Sequence, residues 1–167
     1  MKSIVTLSVV AVLASTVVVQ AKDLQDVTGP AAGDSLCYRC RYAGRPTVSI
    51  FTRKMDDNVK ELVKQIDKVV GENKGDKMAA FVVLLSDEPE SQEATLKATA
   101  KDEGIVNTPL TTFENSKGPR KYRISEDAEV TVMMWVDDVK VNHAFPAGKL
   151  DKDSIKKIVS DTSRILN

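Results

Sequence analysis

The chain has two cysteines, Cys37 and Cys40, and one histidine, His143. Cys37-Tyr38-Arg39-Cys40 has the two-residue spacing shared by redox dithiols and metal-binding knuckles. As a redox pair, one sulfur attacks a partner's disulfide and the other resolves the mixed disulfide. As an inert bridge, the pair closes so short a loop that its entropic stabilisation is limited. As a copper or zinc site, two thiolates and His143 need at least one more ligand, which only a carboxylate can supply. Arg39, Arg41, Arg53 and Lys54 favour a thiolate nearby, whereas Asp56 and Asp57 oppose it. Cys37 and Cys40 are the candidate catalytic residues; no cofactor and no resident metal is expected. The sequence contains neither a phosphate-cradling glycine loop nor a nucleophile elbow.

The compartment decides whether such a bridge persists. Residues 1–21 read as an export signal. Lys2 gives a positive start, no charge follows from Ser3 to Ala21, and Val19-Gln20-Ala21 offers small residues for cleavage. Thr6, Ser8, Ser15 and Thr16 interrupt the apolar run, which makes it marginal for a membrane span. Cleavage leaves an exported chain with no membrane segment, in surroundings where a disulfide survives. Lys and Arg number 24 and Asp and Glu 24. So even a balance argues against nucleic acid as a partner, which needs clustered positive charge. The expected partner is a protein dithiol or disulfide.

The elements that must position the pair follow from periodicity. Residues 22–35, polar and rich in small residues, read as a flexible N-terminal lead-in. Residues 46–52 read as a strand. Val59, Leu62, Val63, Ile66, Val69 and Val70 form one helical stripe, capped by Asp57 or Asn58 and ended by Gly71. Met78 to Leu85 is nearly all apolar, as in a central strand covered on both faces. A helix from Pro89 to Gly104 follows, then a short strand within 105–113 that Pro109 pushes towards an edge or a strand start. Residues 129–136 and 139–145 predict a hairpin, and Asp151 or Asp153 caps a last helix. The alternation implies a parallel βαβ core with right-handed crossovers, hence an α/β fold with a mixed central sheet and helices on both faces.

This order resembles the thioredoxin-like superfamily, and within it the peroxiredoxin and thiol–disulfide reductase branch, over residues 36–167. Ala43-Gly44-Arg45-Pro46-Thr47-Val48-Ser49-Ile50-Phe51 is similar to that branch's approach to its first central strand. Gly104 to Leu110 looks like the approach to the thioredoxin cis-proline. Tyr122-Arg123-Ile124 resembles the Tyr-x-Val before the peroxiredoxin hairpin. The resemblance implies a three-layer fold with a reactive cysteine just after the first central strand. Here that place reads Thr52-Arg53-Lys54-Met55-Asp56-Asp57, without cysteine. A peroxidase at that corner is therefore not expected. If residues 43–45 turn and the chain doubles back, Cys40 comes near Val48 and Cys37 near Ile50 to Thr52, within reach of the customary corner. If the chain runs straight, the pair sits at the opposite pole. The competing expectation is a non-catalytic binding module of the same fold, with a structural bridge.

Overall fold

A computed structural model describes residues 23–166; the expected export signal lies outside them. Two short strands come first, β1 (Leu24–Asp26) and β2 (Ser35–Leu36), followed by a one-turn helix α1 (Tyr38–Arg41). Then come β3 (Thr47–Thr52), α2 (Asp57–Glu72), β4 (Ala79–Leu85), α3 (Pro89–Glu103) and β5 (Leu110–Phe113). A 3₁₀ turn at Arg120–Tyr122 leads to the hairpin β6 (Val130–Trp135) and β7 (Val139–Phe145), and α4 (Lys152–Asp161) closes the order.

The strands form one mixed sheet in the order β2-β1-β5-β4-β3-β6-β7. β3, β4 and β5 run parallel, as the two βαβ crossovers require, and the β6–β7 hairpin adds antiparallel strands beside β3. Pro109 stands just before β5, where its missing N–H costs no ladder bond. β1 then pairs with β5, so β5 is an inner strand. The Thr108–Pro109 peptide is trans. The hairpin that precedes the final helix is β6–β7, as the sequence predicts.

Side chains alternate along β3, β4 and β6, and each face has its own core. One face buries Val48, Ile50, Val82, Val132 and Met134 under α2, α3 and α4. Val59, Leu62, Val63, Ile66 and Val70 supply the α2 stripe. Asp56, one residue ahead of the expected caps, accepts the Val59 N–H at 3.0 Å. Gly71 lies inside α2 rather than ending it, because Asn107 crosses there. A Cβ on Gly71 would sit 3.1 Å from Asn107 Nδ2. Buried Asp67 accepts that amide at 3.0 Å and the Asn107 backbone N–H at 2.7 Å, fastening the α3–β5 loop to α2.

The second face is aromatic and has no long helix. Phe51, Phe81, Met133 and Trp135 project from the sheet and are covered by Tyr38 and Tyr42 of the α1 region, with Tyr122 and Ile124 from the 114–129 loop. Helices thus lie on both faces, in unequal measure: three long ones on one, α1 and a 3₁₀ turn on the other.

Residues 22–35 correct the expectation of a flexible lead-in. Leu24, Asp26 and Val27 are buried, and β1 and β2 extend the sheet. The reason is Asp26, whose carboxylate accepts the N–H groups of Gly29 and Ala31, each at 2.7 Å, and the Tyr38 hydroxyl at 2.8 Å. Small residues look like a loose segment in composition, but here they make room. A Cβ on Gly29 would lie 2.2 Å from the Tyr38 hydroxyl oxygen.

Asp26→Ala removes the acceptor of three donors, and should lower unfolding free energy by about 3 kcal/mol in urea titrations. A second expectation concerns acid. Asp161, at the C-terminal end of α4, is partly buried, which pushes its pKa up. Hydrogen bonds from His143 and Lys157 outweigh that and hold it below its ordinary 3.8. A depressed carboxylate stabilises the fold fully above the ordinary value, and the contribution disappears as pH falls through the folded one. Asp161→Asn should therefore flatten the pH dependence of stability below about pH 4, read by circular dichroism.

Candidate functional site

Cys37 and Cys40 are joined by a disulfide. The chain leaves β2, turns over the aromatic face, and α1 begins at once. Cys37 caps that turn: its sulfur accepts the Cys40 backbone N–H at 3.2 Å. Between the cysteines, Tyr38 points inward, stacked on Phe81 at 5.3 Å between ring centroids, and Arg39 points outward over Trp135 at 5.5 Å. Cys37 is half-buried and Cys40 exposed. The bridge is therefore held rigidly from below and open to solvent from above.

Beside it lies a cleft of about 590 Å³. Leu24, Leu36, Phe113, Pro119 and Tyr122 give it apolar walls, with the bridge on one side. Gly118, Arg120 and Lys121 contribute from the loop opposite. Tyr122 packs on Phe51 at 4.7 Å. Burial pushes its hydroxyl up to about 12, only partly offset by Arg39, so the ring stays neutral. Burial also raises Tyr38, helped by its bond to Asp26. Sequence reasoning missed both Asp26 and the loop wall from Gly118 to Tyr122. The run Arg120-Lys121-Tyr122 was the available signal, a charged pair followed by an aromatic.

The doubled-back path expected as one alternative does not form. Both edges of β3 are occupied, by β4 and β6, so residues 37–42 cannot pair there. Nor is the pair buried. It lies on the aromatic face, whereas α2 packs on the other. The customary corner is stitched by its own residues. Thr52 Oγ1 donates to the Lys54 carbonyl at 2.7 Å, and the Arg53 guanidinium donates to the carbonyls of Ala128 and Ser125.

The metal alternative does not assemble either. His143, on β7, faces the helical side and bonds Asp161 through Nε2 at 2.8 Å, across the sheet from the cysteines. Both sulfurs are committed to each other. Among the described residues no group of three or more His, Cys, Asp or Glu side chains converges for a metal ion.

No family model and no curated protein matches the sequence. Solved structures do match in shape. A thioredoxin-like protein from Porphyromonas gingivalis superposes with a TM-score of 0.61 at 15% identity, over 87% of this chain and 90% of its own. A secreted Mycobacterium tuberculosis disulfide oxidoreductase homologous to E. coli DsbE gives 0.58 at 10% identity, over 84% and 95%. Peroxiredoxin Q from Xanthomonas campestris gives 0.57 at 10% identity, over 86% and 90%. The fold is the thioredoxin-like one, with its dithiol motif moved upstream of the first central strand.

Thiol titration of the folded protein should find no free thiol before a phosphine reductant and both cysteines after it, without denaturant. Alkylation should then label the exposed Cys40 faster than Cys37. A need for denaturant would mean that the bridge is closed off.

Proposed function

We propose that the protein is an exported thiol–disulfide exchange protein working through Cys37 and Cys40. The observation that carries this reading is the half-open bridge on the wall of a cleft, its inner sulfur bonded to a backbone N–H. A partner thiolate attacks the accessible Cys40 sulfur. The Cys37–Cys40 bond breaks, and Cys37 leaves as a thiolate that keeps the Cys40 N–H, with Arg39 and Arg41 nearby. A better stabilised thiolate leaves faster. The partner's second thiol loses its proton and displaces Cys40 from the mixed disulfide. The partner has then lost two electrons and two protons, and both cysteines are thiols. Run backwards, Cys40 attacks a partner disulfide and Cys37 resolves it.

Export supports the reading, because an oxidising compartment preserves the bridge. The leader pattern in residues 1–21 argues for it, and one structural neighbour is a secreted oxidoreductase. Among the described residues no helix is long and apolar enough to cross a membrane. A second reading rests on the anchoring of Tyr38 by Asp26 and Phe81. On that reading the bridge is a clip that fixes α1, and the protein is a binding module.

Turnover separates the two. The exchange reading expects reduction of an insulin-type disulfide with a supplied reductant, lost in Cys37→Ser and Cys40→Ser. Cys37→Ser should accumulate a mixed disulfide at Cys40, visible by mass spectrometry, and Cys40→Ser much less. Absence of turnover in both directions leaves the clip.

A further inference from the structure

We infer that the cleft beside the bridge receives an extended, acidic segment of the partner polypeptide. This deepens the exchange reading and rests on it for the role of the sulfurs.

Three observations converge. The first is charge. Arg39, Arg120 and Lys121 line the cleft, all exposed, and Asp23 is the one carboxylate among its described lining residues. Among the described residues none of these three cations has a carboxylate within ion-pair distance. Three cations against one carboxylate thus give this mouth a positive excess in a chain whose overall charge is zero.

The second is the floor. Leu36, Phe113 and Tyr122 give it apolar surface that side chains of a bound segment can cover. The third is the sheet edge. β2 ends the strand order, so its outer edge has no partner among the described strands. Ser35 and Leu36 lead directly into Cys37. A segment that pairs with that edge runs into the cleft and brings its own cysteine to Cys40. Edge pairing supplies backbone affinity, and the rim supplies the choice of sequence.

The test uses the oxidised full chain and fluorescein-labelled peptides in which serine replaces cysteine, so that binding is read without exchange. An acidic–apolar peptide should bind about tenfold tighter than the same sequence with lysine for glutamate. The preference should vanish at about 0.5 M salt and invert in an Arg120→Glu/Lys121→Glu variant. Equal binding of both peptides overturns the inference, as does tighter binding of an oligonucleotide of equal charge. Oxidation of dithiothreitol by the wild type is measured in parallel. Exchange with dithiothreitol but no peptide preference removes the docking segment and leaves the exchange reading. Peptide preference without any exchange does the reverse.

Discussion

One carboxylate shut away from water helps fix where the disulfide sits. Asp26 is almost wholly buried and accepts hydrogen bonds from Gly29, Ala31 and Tyr38. A buried charge without such donors costs several kcal/mol, on the order of a small domain's whole stability. The turn after β1 must therefore fold around it, and Tyr38 must lie down on Phe81 to reach it. Cys37 and Cys40 flank Tyr38, so their place over the aromatic face follows. Asp26 thus joins the turn after β1 to α1, alongside the β1–β5 pairing and the Tyr38–Phe81 stack.

The two faces of the sheet divide the work. The helical face is a conventional core, with aliphatic stripes from three helices burying Val, Ile and Leu at two to three kcal/mol for each fully buried side chain, a rough upper figure. The other face has large rings and short covering segments, which leave room for a cleft. The resemblance leads to the expectation of a reactive sulfur at the N-terminal end of the helix after the first central strand, where this chain has none. Here Arg53 instead ties that corner to the loop before β6. The chain's one disulfide lies on the face that long helices do not cover.

Most of the fold was readable in the residues, because burial writes period and length directly. The α2 stripe, the apolar run of β4 and the hairpin before the last helix came through within a residue or two. What composition hid was long-range. Residues 23–35 look unstructured because what holds them is distant in sequence: β1 pairs with β5, and Asp26 bonds Tyr38. Gly71 looks like a stop signal but is a gap for Asn107. The Cys-x-x-Cys motif announced its chemistry but not its face of the sheet. That depends on which strands occupy the edges of β3, and pairing between distant segments leaves no local trace.

Arg39 links the bridge to Trp135, and Trp135 is the chain's single tryptophan. Arg39 sits between the two sulfurs in sequence, so any change in α1 on opening the bridge alters what covers that indole. The lone indole is thus placed where opening of the bridge would be felt. Its emission needs no dye, and no second indole adds a background signal.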